Sequence, residues 1–414
     1  MTATAVLSSR PRSITGNVMP AMRRGGLTLD LVRDEAGFYA LRPYWDALVE
    51  QMATRTPFMR WDWMSLWWEE CRRDAQLAIA VLRDAEGLPQ AIAPLMLACE
   101  QEHARQHLVT LTFLGGFGDA HGERLDLIVP AGRENELTPQ LCQVFKQLRD
   151  ECDNVRLNHL PEESPNTRHI LAALTESYTC AGILNRQTCR FIHLPASWEE
   201  YEVRHHSNWR NLMRRRRRAF ASLPENHSTH AGERLPPTAA MAQLRQLHAM
   251  QWPEGVSSFT TDSSWRFHQR LAARWLPQER AVMPMLEADG RVIAALYGFI
   301  ERDEFFQYQT GWDKSHAGMS PGKLVMRWAV EGSIQRKLRV HDMLPSDYEY
   351  KRQWCDGARW LLDLEAFNPA SWRATVFHAL RTVRRWLPHH TSTATTTPSH
   401  ELQEAQEPAL RPAA

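Results

Sequence analysis

The chain has no apolar run long enough to cross a bilayer: nowhere in its 414 residues do about 18 apolar residues follow one another. The opening stretch MTATAVLSSRPRSITGNVMPAMRRGG likewise holds no continuous apolar core of signal-peptide length, so a cytoplasmic location is expected. Cysteine is sparse. Its seven residues, scattered from Cys71 to Cys355 with no CxxC and no Cys/His pair, argue for a reducing compartment and against zinc, so no metal is expected. Neither sign of charge is in excess: 49 basic against 48 acidic residues leave a net charge of +1. That balance gives no global pull toward DNA or an anionic membrane, and any such contact requires a local patch.

What is present fits a globular protein of two domains, since 414 residues exceed one ordinary domain and 43% are hydrophobic. Residues 1–27 and 388–414 are poor in apolar periodicity and rich in Ser, Thr, Pro and Ala, and are expected to lack structure. Between them one module repeats. LAIAVLRDAEGLPQAIAPLMLA in the first half answers MPMLEADGRVIAALYGF in the second; LTFLGGFGD then answers FQYQTGWD, and VRLNHLP answers VHDMLPSD. The expected units are 28–195 and 196–368, followed by a basic amphipathic helix over 369–387.

The second unit is the more telling. Two apolar runs meet at Asp289-Gly290, a dipeptide that supplies the positive φ angles of a tight hairpin. A third run, Phe305 to Thr310, ends at Gly311-Trp312-Asp313. Next, His316-Ala-Gly318-Met-Ser320-Pro321-Gly322-Lys323 opens a helical pattern, with serine at the cap position and proline at the first helical one. The amides of such a helix start can receive a phosphate. A further strand leads into Tyr348-Glu-Tyr350-Lys351-x-x-Trp354.

In this order RNLMRRRRRAF, GFIERDEFFQYQTGWD, SPGKL and YKRQW resemble the GNAT-superfamily acetyltransferase domain of the cellulose-biosynthesis-associated (CelD-like) kind, a relative of the Fem-type peptidoglycan aminoacyltransferases. The resemblance covers Tyr201 to Phe367. With the repeat, it implies an α/β protein of tandem GNAT-like domains, each a mixed, mostly antiparallel sheet flanked by helices. The implied donor is acetyl-CoA or another acyl-CoA. One departure stands out: acetyl-CoA-binding members carry an Arg/Gln-x-x-Gly-x-Gly/Ala phosphate loop, where this chain has only Gly318 and Gly322 in a looser arrangement.

The implied reaction is attack of a neutral amine on a thioester or ester carbonyl. Backbone groups at a strand bulge around Gln309 to Gly311 would hold the developing oxyanion. The segment Gly318, Ser320, Gly322 and Lys323 would hold the diphosphate. Asp313 is the first candidate to relay the amine proton; the alternative is an aspartate that caps its own loop through an Asx turn. By resemblance Lys351 would stabilise the donor carbonyl or a phosphate, and Tyr348 or Tyr350 would protonate the leaving group. The alternative is tyrosines packed on the sheet and a solvated lysine.

The run Arg214 to Arg218 reads in two ways. On a helix Trp209, Leu212, Met213 and Phe220 share a face while Arg214, Arg217 and Arg218 lie mostly away from it, which is a solvated amphipathic helix. Turned toward a cleft, the same guanidiniums would bind a phosphorylated donor or acceptor. A tRNA acceptor arm needs only such a basic surface, but no long helical-hairpin insertion for tRNA is visible. In the first unit, Phe58, Trp61, Met64 and Trp68 at helical spacing read as a packed face, and the unit as a non-catalytic wall of the acceptor cleft with Asp119 and Asp126 as polar contacts. The segment AHGERLDLIVP is expected to continue into a strand. The helix Trp372 to Leu387 either docks on its own domain or lies on a membrane surface. The reading is thus an acyl-CoA-dependent N-acyltransferase acting on a small-molecule or saccharide amine of an envelope or exopolysaccharide precursor. Its alternatives are a Fem-like aminoacyl-tRNA-dependent transferase and a non-catalytic scaffold.

Overall fold

Asp289 and Gly290 both adopt positive φ, +52° and +71°, and fold two strands into the hairpin their sequence demands. The structure, a computed structural model, describes residues 22–24, 26–101, 107–251, 257, 259 and 261–386. The expected terminal segments 1–27 and 388–414 lie outside these residues except at 22–24, 26 and 27, where a short strand begins the described chain.

In chain order the strands are β1 Met22–Arg24, β2 Leu27–Val32, β3 Gln76–Leu77, β4 Ile79–Arg83, β5 Pro89–Ala93, β6 Leu95–Gln101, β7 His107–Phe113, β8 Asn154–Pro161, β9 Thr179–His193, β10 His227–His230, β11 Ala281–Val282, β12 Pro284–Ala288, β13 Arg291–Glu301, β14 Glu304–Trp312, β15 Val340–Pro345 and β16 Gly357–Phe367. A small sheet has the order β1-β2-β4-β5. The large one runs β10-β12-β13-β14-β15-β9-β16-β8-β7-β6-β3, with β11 beside β13. Its neighbours are antiparallel except for β7 with β8 and β14 with β15. The repeat read from the sequence is therefore matched in topology, one parallel pair in each half. At the centre β16 lies between β8 and β9, so the last strand of the chain completes a sheet begun in the first half.

Seven of the helices frame the site: α1 Trp61–Cys71, α2 Ser207–Ala221, α3 Pro237–Gln251, α4 Asp262–Trp275, α5 Pro321–Gln335, α6 Glu349–Trp354 and α7 Trp372–Trp386. Helix α1 is apolar nearly all round and buried, with Trp63, Met64, Leu66, Trp67 and Trp68 in the core, as a helix without a polar face must be. It packs on α4, where Trp63 meets Phe267 edge-on at 4.9 Å and Trp275 donates to Asp62 at 3.0 Å. Helix α3 lies so close on β14 that a Cβ at Gly311 would sit 2.9 Å from the His248 nitrogen. A second apolar cluster, which includes Trp198, Tyr201, Trp209 and Trp354, joins α2, α5 and α6.

The segment AHGERLDLIVP differs from expectation. It makes one isolated bridge, Ile92 to Ile128, rather than a strand. Positive φ at Gly118, Ala120 and Arg124 breaks the extended run, and Asp126 turns inward to accept hydrogen bonds from Ser164, Asn166 and the Leu127 amide. Helix α7 docks through Ala374 and Phe377 against Leu108 and Phe367, and Arg381 pairs with Glu365. Trp372, Val376 and Leu380 on the same helix are exposed. Among the described residues no helix is long and apolar enough to cross a membrane.

Candidate functional site

Strands β14 and β15 pair only over Glu304–Phe306 and Val340–Asp342. Beyond that point β14 carries an extra residue, Tyr308, because Tyr297 faces Gln309 while Gly298 faces Gln307. A bulge bends its strand and frees main-chain groups from the ladder. Glycine is needed opposite it, since a Cβ at Gly298 would stand 2.3 Å from the Phe305 ring and 2.6 Å from the Phe306 carbonyl. Strand β15 is itself irregular between Asp342 and Pro345. The two strands part, and their carboxyl ends lead into the turns that open α5 and α6.

The start of α5 is tighter than its sequence implies. Ser320 occupies the cap position at φ +51°, and Pro321 follows it. Gly322 faces Trp312, where a Cβ would lie 3.0 Å from Cδ1; a Cβ at Gly318 would meet nothing within 4 Å. The Lys323 amide bonds back to the Ser320 carbonyl at 3.0 Å. Asp313 caps the preceding turn: its Oδ1 accepts from the Ser315 amide at 2.8 Å, and Oδ2 lies 3.2 Å from His316 Nδ1. Burial pushes the Asp313 pKa up, but the bonds from Ser315 and the His316 ring outweigh it and the net shift is downward. This is the Asx-turn geometry, with a histidine attached.

Along the first turns of α5 lies a cavity of about 510 Å³, lined by Arg214, Arg217 and Arg218 of α2 and by Leu324, Arg327, Trp328 and Glu331 of α5. The arginines divide as an amphipathic helix requires. Arg216 is buried with Trp209 and Met213, Arg215 is exposed, and Arg214, Arg217 and Arg218 meet in the cavity. Arg327 pairs with Glu331 at 2.7 Å, yet burial first, and the neighbouring charge of Arg217 behind it, lower its pKa. Guanidiniums outnumber carboxylates here, which favours an anionic ligand.

Lys351 turns inward. Its ammonium donates to the carbonyls of Met343, Leu344 and Pro345 at 2.7, 3.1 and 3.1 Å and to the Ser346 hydroxyl at 2.5 Å. Three donors shared by four acceptors fasten the end of β15 and leave none for a substrate carbonyl. Asp313 is not among its partners. Tyr348 and Tyr350 stack at 6.0 Å, and the ammonium lies 5.9 Å from the centre of the Tyr348 ring. Gln309 at the bulge accepts from the Thr310 amide through its side chain at 3.2 Å.

The first half reaches the parted strands. Arg124 reaches Asp342 on β15 at 3.2 Å, and the Tyr308 hydroxyl donates to the His121 carbonyl at 3.4 Å. Next to them stand His121, Glu123 and His159. Burial raises the Glu123 pKa, but the adjoining His159 and His121 rings pull it well below the carboxylate range. Asp119 bonds Arg73 and Ser263, and Asp126 lies in the buried network already described. No sequence reading singled out the His121–Glu123–His159 cluster; its one local signal was the His-x-Glu spacing just after a glycine-rich loop.

Strands that part at a bulge beside a helix start form a cleft whose main-chain groups are free of the ladder. Residues 207–352 match the acetyltransferase (GNAT) domain family. No curated protein sequence matches the chain. Among solved structures, FemX aligns with a TM-score of 0.54 at 9% identity, covering 82% of this chain and 98% of FemX. A conserved protein of unknown function from Bacteroides thetaiotaomicron aligns with a TM-score of 0.50 at 11% identity, over 79% and 97%. A tandem GNAT protein from the clavulanic acid biosynthesis pathway aligns with a TM-score of 0.45 at 13% identity, over 83% and 99%. The GNAT match spans α2 through the middle of α6, so the bulge, the α5 start and the arginine cavity all fall inside it.

Proposed function

We propose that the chain transfers an acyl group, most simply acetyl, from an acyl-CoA to an amino group of an envelope or exopolysaccharide precursor, in the manner of the CelD-like proteins its sequence resembles. The observation that carries this reading is the arginine cavity between α2 and α5 over β10 and β12, on the helix that follows the bulged strand β14. A nucleotide diphosphate suits the guanidiniums and the start of α5, leaving the acyl arm to enter between the strands. The amine nitrogen then bonds to the carbonyl carbon, main-chain groups at the Tyr308 bulge stabilise the oxyanion, and the C–S bond breaks as the amine gives up its proton. Asp313, linked to His316, is the proposed proton relay. Lys351 is proposed as a positioning residue that holds the end of β15.

The Fem-like alternative shares the fold. A tRNA-dependent enzyme is expected to add a projecting helical arm, whereas α3 and α4 bury Leu244, Leu247, Phe267 and Leu271 in the core. The exposed stripe Trp372, Val376 and Leu380 supports a membrane-surface contact near lipid-linked precursors. The deciding experiment combines a thermal-shift panel of acetyl-CoA, longer acyl-CoAs, CoA and UDP-sugars with thiol release in the presence of amino-sugar acceptors. A rise in Tm with acetyl-CoA and acceptor-dependent thiol release are expected. Binding without turnover would leave the scaffold reading, and no acyl-CoA binding would remove the proposed donor.

A further inference from the structure

We infer that His121, Glu123 and His159 bind one divalent transition-metal ion, with zinc the ion whose ligand preferences they fit best. Their ligating atoms all lie within 4.8 Å of one another, and the site stands beside the bulge on β14. His121 Nε2 is 3.3 Å from Glu123 Oε1, and His159 Nδ1 is 2.7 Å from Glu123 Oε2. Ligands held at zinc's usual bond lengths in a tetrahedron lie about 3.3 Å apart, so the present spacing needs only small side-chain shifts. Two imidazoles and a carboxylate leave a fourth position for water, and the partly exposed His121 ring provides the way in.

Four further features distinguish this cluster from an ordinary surface ion pair. Glu123 is more than nine-tenths buried, and among the described residues its ion-pair partners are the two histidines. Its Oε2 and the neighbouring His159 Nδ1 are buried and lie close, but off the line of a well-directed hydrogen bond. The two atoms converge at 2.7 Å, and a cation drawn between them would take both as ligands. The outer sides of the rings are oriented as well: His121 Nδ1 lies 3.3 Å from the Gly118 carbonyl, a bond that leaves Nε2 to the metal. Finally, His159 is a non-glycine residue at φ +60°, and the Asp363 carboxylate fixes its amide at 2.9 Å. Asn185 and Gln187 hold Asp363 in turn, at 3.2 and 3.0 Å. Backbone strain kept in place by three partners has a purpose if it aims the ring.

The test uses the full chain, stripped with a chelator and titrated with zinc chloride by calorimetry, with no acyl donor present, so its outcome is independent of the proposed reaction. One equivalent is expected. Glu123→Gln and His159→Asn should each weaken binding by more than the roughly 10–100-fold that loss of an outer partner costs, and Asp363→Asn by about tenfold. Loading with Co2+ should give visible absorption bands that His159→Asn abolishes. Should His159→Asn fail to fold by far-UV circular dichroism, His121→Asn, at a more exposed ring, carries the same prediction. Uptake below half an equivalent overturns the inference. So does parental affinity in both Glu123→Gln and His121→Asn, which would put the metal elsewhere.

Discussion

Arg124 and Asp342 meet with Nη1 3.2 Å from Oδ2, joining the loop after β7 to the last residue at which β15 still pairs with β14. Asp342 has no exposed surface, and Arg359 reaches the same oxygen at 3.0 Å. A residue of the first half thus helps fix the point where the strands of the second half part. Arg124 is itself held at φ +53° and also pairs with Glu163 at 3.0 Å.

Arg124→Met should cost about 3 kcal/mol, because removing one partner of a buried ion pair strands charge in a low dielectric. The midpoint of urea unfolding measures it. A loss below about 0.5 kcal/mol would mean that Arg359 alone satisfies Asp342.

Lys351→Met should act on stability before it acts on chemistry. Burial, opposed by the negative charge of Asp342, lowers the Lys351 pKa to about 8. Its folded pKa thus lies below the unfolded value of about 10.4. Below pH 8 both states hold the proton and the burial cost is fully present; between about 8 and 10.4 the unfolded state binds more protons, so parental stability rises with pH, by at most about 3 kcal/mol. Urea unfolding at a series of pH values should show this rise in the parent and not in the variant. A gap between the two that does not change with pH would contradict it.

Arg214, Arg217 and Arg218 exchanged together for glutamine should weaken acyl-CoA binding by roughly tenfold for each charged hydrogen bond lost. The salt dependence of binding should flatten with it, while helix content is kept. Equal affinity at low salt in parent and variant would leave these arginines as a solvated face.

Gly311→Ala and Gly318→Ala should separate two glycines that look alike in sequence. At Gly311 the new Cβ meets the main chain of α3 at 2.9 Å, and about 1–3 kcal/mol of stability should be lost. At Gly318 nothing lies within 4 Å, and the change should stay within about 0.5 kcal/mol. Thermal unfolding distinguishes them. A large loss at Gly318 would mean that its backbone conformation matters beyond the space around it.

Patterns local in the chain were legible. Asp289-Gly290 turns a hairpin because positive φ is a property of the dipeptide, and the tryptophans of α1 are buried because a helix apolar nearly all round has nowhere else to go. The repeated order of strands carried the tandem architecture, and the arginine spacing on α2 set three guanidiniums apart from the packed face. These features depend on neighbours within one turn or one hairpin, where spacing fixes direction.

What only the tertiary structure decided depends on residues distant in sequence. Lys351 looks like an exposed cation in Tyr-Lys-Arg, but the curl of β15 offers it three carbonyls and draws the ammonium inward. Asp313 closes its own turn while the bulge one strand face away meets His121 from the other half of the chain. His121 and His159 become neighbours only because β8 carries its strained residue toward the glycine-rich loop. Sequence periodicity tells which way a side chain leaves its own backbone; which other backbone it then meets is settled by sheet order and register, and here β16, entering between β8 and β9 from the far end of the chain, sets both.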